Sequence, residues 1–140
     1  MEFKSQICTT REQSEMLLAL GLKKETADMC HQVLTLNGEP VAIISPDVWT
    51  GEQEISDSHY PAWSLHRLVE MVPHTIWHTE YEDRPRLKHT FWFSKYAPSY
   101  DSTEDIDFRA NQDLYNNMID CIEWLINEGH FSKEYMEDKQ

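Results

Sequence analysis

Glycine is scarce in this chain, with four in 140 residues. Each falls where a turn, a helix end or a loop is expected, so none is left to build a phosphate-cradling glycine loop. Gly-x-Ser-x-Gly is also missing, and no cysteine has an obvious neighbouring base, which removes the common signatures of nucleotide-dependent and covalent catalysis. The three cysteines, Cys8, Cys30 and Cys121, are odd in number and far apart, with no Cys-x-x-Cys pair. Neither a disulfide framework nor a thiolate metal site is indicated, and a reducing, cytoplasmic compartment is expected. No apolar run is long enough to span a bilayer and the first thirty residues carry no cleavable leader pattern, so no membrane partner is expected. Cations are few: 12 Lys and Arg stand against 25 Asp and Glu, a net charge of -13. That field repels nucleic acid and anionic lipid, which disfavours both as partners.

What is present is enough to fold. Apolar residues make up 40% of the chain and tryptophans number five, too much for a disordered polyanion. The length suits one domain, 1–140, with a tail from about 131 that either docks through Phe131 and Tyr135 or frays.

Thr10 followed by Gln13 has capping-box spacing, and Met16, Leu17 and Leu20 precede Gly21, which predicts a helix over 11–20. Leu22 is placed to pack back on Leu17, and 24–28 has room for one more turn. Cys30 to Ile44 is rich in branched apolar residues around Asn37-Gly38, the signature of a β-hairpin with Leu34 opposite Val41 and Leu36 opposite Glu39. Pro40 puts the second strand at a sheet edge. A polar stretch, 45–60, then leads to Pro61, which reads as the first residue of a helix over 62–71.

His74–Tyr81 and Arg86–Tyr96 are rich in threonine and aromatics and flank a Glu82–Pro85 turn, giving a second hairpin. Pairing Tyr81 with Arg86 sets His78 opposite His89 and Ile76 opposite Phe91, with Trp77 and Trp92 on the other face. The last helix, 109–128, carries Leu114, Met118, Cys121, Ile122 and Leu125 and closes at Gly129. The fold class expected is α+β: two antiparallel β-hairpins forming a sheet packed with three principal helices. Leu17, Leu34, Leu65, Leu68, Ile122 and Leu125 are the expected core.

Thr9-Thr10-Arg11-Glu12-Gln13-Ser14 with Leu20-Gly21-Leu22, Pro61-Ala62-Trp63-Ser64-Leu65 with Leu68, and Met118–Leu125 together resemble a group of small uncharacterised proteins of Bacteroides-type gut bacteria and their phages. The resemblance implies a phage or mobile-element setting and carries over no catalytic residue.

Three constellations could carry chemistry. His78 and His89 on one face of the second hairpin, with Glu80 two residues along, are ligand types for zinc or non-haem iron, the basis of a metal-assisted hydrolase. On the other face Trp77, Tyr81, Arg86, Lys88, Trp92 and Tyr96, with Arg84 and Lys95, mix aromatics and cations as protein interfaces and single-strand nucleic-acid platforms do. Asp101-x-Thr103-x-Asp105-x-Asp107 alternates oxygen ligands but lacks the glycine and the closing glutamate of a calcium loop. The leading expectation is a non-enzymatic interaction or accessory protein with a protein partner or self-association and no cofactor; the hydrolase and the single-strand binder are the alternatives.

Overall fold

The computed structural model of the chain describes residues 6–36, 38–45, 55, 59–94, 97–108 and 113–137, with the side chains of 32–36, 40–45 and 94 outside the description. The sequence pattern treats the chain as one domain; the described residues group into two compact units. One takes in the chain up to Val69 and from Lys133 onward, the other Glu70–Ser132. The α+β class holds, with three α-helices and antiparallel strands among the described residues. The two hairpins seed two separate sheets rather than sharing one.

In the first unit, helix α1 spans Arg11–Leu20. The Thr10 hydroxyl accepts from the Gln13 amide at 3.1 Å, and the Gln13 side chain accepts in turn from the Thr10 amide at 2.9 Å. Two of the helix's unpaired amides are thereby satisfied. Replacing Thr10 with alanine should cost about 1 kcal/mol, checked as a shift of the urea midpoint. Gly21 ends the helix at φ +105°, a conformation hostile to a side chain, and Leu22 turns into the core.

Strands β1 (Met29–Leu36) and β2 (Glu39–Ser45) pair with Leu34 opposite Val41 and Leu36 opposite Glu39, the register expected from Asn37-Gly38. β2 is an edge strand, as Pro40 requires. A third strand, β3 (His59–Ala62), covers the other side of β1, with Pro61 opposite Cys30. Pro61 therefore belongs to an edge strand and not to a helix start. The start comes three residues later, where the Ser64 hydroxyl accepts from the Arg67 amide at 3.1 Å while Asp28 grips the Ser64 amide and hydroxyl. Helix α2 is accordingly shorter than expected, Leu65–Met71.

Trp63 of this unit is fully buried. The segment Lys133–Glu137 docks here: Lys133–Tyr135 forms a single 3-10 turn, and the Lys23 amide donates to the Tyr135 carbonyl at 2.9 Å. The Glu137 amide donates to the Gly21 carbonyl at 2.7 Å, and Arg67 lies over the Tyr135 ring.

The second unit is a four-stranded antiparallel sheet ordered β4 (Thr75–His78), β5 (Leu87–Ser94), β6 (Ala97–Asp101), β7 (Ile106–Asp107). Helix α3 (Leu114–Asn127) packs against β6. Its amides at Tyr115 and Asn116 are capped by the Asp113 carboxylate. The expected segment 109–112 lies outside the described residues. Of the expected core, Leu17, Leu68, Ile122 and Leu125 are buried, Leu65 is half-buried at the first turn of α2, and the Leu34 side chain is not described.

Candidate functional site

The β4–β5 register decides what shares a face. Ile76 pairs with His89, Trp77 with Lys88, and His78 with Leu87, two residues away from the pairing the turn residues suggest. An even slip leaves every side chain on its expected face and changes only its neighbours. His78 and His89 are thus on one face as diagonal neighbours, 6.3 Å between ring centroids, rather than a direct cross-strand pair.

The inner face of this sheet is aromatic. Tyr100, fully buried, meets Phe91 edge-on at 5.4 Å and donates its hydroxyl to the Pro73 carbonyl at 2.7 Å. Burial pushes that phenol well above its ordinary pKa. Trp124 of α3 packs between Phe108 at 5.5 Å, His78 at 5.0 Å and His130 at 5.8 Å. His130, on the turn after α3, has its Nε2 3.0 Å from His78 Nδ1. The sequence reading missed this partner, since 52 residues separate the two.

These contacts bear on the expected metal ligands. His89 is 2% exposed, and its two ring nitrogens lie 3.0 Å and 2.9 Å from the carbonyl oxygens of Leu87 and Glu104. Neither nitrogen turns a lone pair toward an open position. Glu80 is exposed beyond the end of β4. Among the described residues no group of three His, Cys, Asp or Glu side chains stands where a metal could be held, so the structure does not assemble His78, Glu80 and His89 into a site.

The alternating acidic segment is folded on itself as the β6–β7 connection. Asp105 accepts from the Ser102 amide at 3.0 Å, and Glu104 pairs with Arg84 at 2.8 Å. The thiols are equally unsuited to nucleophilic work. All three are buried, and burial above all pushes Cys8 up to about 11 and Cys121 up to about 12.

The outer face is the reverse. Trp77 is 55% exposed and Trp92 60%, on the same face as Lys88 because Trp77 pairs with Lys88 and Trp92 lies four residues further along the same strand. That offset spaces the two indoles by about 13 Å along the strand direction. Between them stands the half-exposed pair Thr75 and Thr90. Tyr81, 52% exposed on the β4–β5 connection, carries Arg84 over its ring at 4.9 Å. Arg86 and Lys88 are exposed beside them. The expected contributors Lys95 and Tyr96 lie outside the described residues. A cleft of about 190 Å³ opens at the β4 end of this surface, lined by Trp77, His78, Thr79, Arg86, Glu128 and His130.

In the first unit a cleft of about 590 Å³ has walls that mix Lys23 and Arg67 with Glu25, Glu134 and Glu137, beside Thr26 and Tyr135. No helix among the described residues is long and apolar enough to cross a membrane. No family model, curated protein or solved structure matches the chain.

Proposed function

We propose that this protein works by docking another protein on the outer face of its four-stranded sheet, without catalysing a reaction. The observation that carries the proposal is the pair of indoles, Trp77 and Trp92, each more than half exposed on one face while every other large aromatic of the sheet's inner side packs inward. Leaving two tryptophans in water forgoes burial worth about 1.5–3 kcal/mol for a large apolar side chain. Tryptophan and tyrosine beside arginine are the residues that anchor interfaces. Threonines between the indoles and cations at one side provide the polar frame such a patch needs. The net charge of -13 steers basic partners toward the molecule and repels polyanions. The likeness of its Pro61–Leu65 and Met118–Leu125 segments to proteins of gut bacteria and their phages makes a phage or mobile-element setting part of the same proposal.

Trp77→Ala and Trp92→Ala test it. Each should change folding stability by about 0.5 kcal/mol or less, as exposed positions do, and each should weaken partner binding by about 30-fold, the effect of losing a 2 kcal/mol anchor. Proteins co-purified from the cells of origin by the wild type and lost with both variants would be the partner set. Identical sets for wild type and variants would remove the outer face from any docking role. Light scattering over a concentration series reports whether the partner is a second copy. A strict monomer that binds single-stranded DNA, with affinity falling steeply as salt rises, would replace protein docking with nucleic-acid binding on the same residues.

A further inference from the structure

Two imidazoles facing each other nitrogen to nitrogen share a hydrogen bond only while one nitrogen holds a proton and the other a lone pair. His78 Nδ1 and His130 Nε2 are in that relation at 3.0 Å, with the rings nearly perpendicular. The contact ties the last residue of β4 to the turn that ends α3, and Trp124 packs against both rings. Among the described residues β4, four residues long, is an edge strand hydrogen-bonded to β5 alone, with Ile76 buried on its inner face.

We infer that the His78–His130 pair is a proton-operated latch, closed when the two rings share one proton and opened by acid when each holds its own. Once both rings are cationic, no lone pair remains between them and the two charges face each other at hydrogen-bond distance. The surroundings do not offset that repulsion. The groups that face His130 are His78 on β4, His89 on β5, Arg86 from the connection between those strands, and Glu128 at the end of α3. Around the pair, one carboxylate stands against a guanidinium and one further imidazole.

Burial first, and then His78, lower the His130 pKa from its ordinary value near 6.5, with Arg86 and His89 acting the same way and Glu128 opposing them. The unfolded chain therefore binds the proton more readily than the folded one. The latch's contribution is complete above about pH 6.5 and is lost as the pH falls below it. Opening frees the end of β4 and the turn Gly129–Phe131, where the His130 and Phe131 amides both donate to the Leu125 carbonyl. Trp77 immediately precedes His78 on the same strand, so the latch also governs how firmly one docking indole is held; this consequence rests on the docking proposal, while the latch itself does not.

Amide exchange, corrected for intrinsic rates, reads the latch directly in the full chain. Between about pH 7.5 and pH 5, protection of His78, His130 and Phe131 should drop about tenfold in the wild type, while Ile119 and Ile122 in α3 hold theirs. In His130→Gln, whose amide does not titrate, the drop should shrink to about twofold or less. His78→Gln gives the same comparison should the first variant fold poorly. Unchanged wild-type protection at the two pH values, or an undiminished loss in the folded glutamine variant, would overturn the latch. Partner binding is measured separately at both pH values: binding that requires Trp77 and Trp92 but ignores pH leaves the docking proposal standing and removes only the coupling to it.

Discussion

Trp63→Ala should destabilise the protein by about 3–5 kcal/mol, a large part of the 5–15 kcal/mol by which domains are usually stable. Two kinds of loss combine. The indole is fully buried, so truncation leaves a cavity that its neighbours only partly fill. It also anchors a buried polar cluster: its Nε1 donates to the Thr26 hydroxyl at 2.9 Å, and its amide donates to the Thr9 hydroxyl at 3.0 Å. That hydroxyl is in turn 2.8 Å from the Ser14 hydroxyl. Without the indole the Thr26 oxygen, itself buried, loses its donor. Trp63→Phe separates the two losses, because it keeps most of the volume and removes the N–H, an omission worth about 1–3 kcal/mol. Urea denaturation measures both variants; a phenylalanine variant as unstable as the alanine one would show that the hydrogen bond outweighs the packing.

Leu125→Ala is expected to cost about 2–5 kcal/mol. Leu125 lies on the buried side of α3 with Met118, Ile122 and Cys121, all fully buried. Its carbonyl also accepts the His130 and Phe131 amides that close the helix. Alanine keeps those backbone bonds, so the loss should be one of packing. It should appear as a lower urea midpoint at unchanged slope, the mark of altered stability without altered compactness of either state. A variant with the wild-type midpoint would mean that α3 is not held by this side chain.

What the sequence made legible follows from how local each signal is. α1 was readable to its ends because the capping box and Gly21 lie within the element they bound. The first hairpin's register was readable because the dipeptide Asn37-Gly38 dictates it. Where the determinants lie elsewhere in the chain, the reading faltered. Pro61 is compatible with an edge strand and with a first helical turn, and the choice is made by Cys30 and Asp28, some thirty residues back. β6 and β7 carry polar or turn-forming residues, Ser99, Asp101 and Asp107, that hide their alternation. The β4–β5 register slipped by two because Glu82–Pro85 does not prescribe a loop length. Even so, Trp77, Lys88 and Trp92 kept their common face, since alternation has a period of two. The partner of His78 did not, because nothing near His130 in the chain distinguishes it from an ordinary residue after a helix end.

The order in which the chain leaves the ribosome bears on how the first unit is finished. Its sheet and α1 are made early, yet the strap that closes it, Lys133–Glu137, follows all of Glu70–Ser132. At 5–20 residues per second, and counting from the completion of Val69, the Lys23, Leu22 and Gly21 backbone positions wait on the order of 3 to 14 seconds for the partners that Tyr135, Met136 and Glu137 supply. During that interval the nascent first unit has an unmade edge at the end of α1, a place for a chaperone to hold or for a neighbouring nascent chain to invade. A premature stop between Val69 and Lys133 would make the interval permanent.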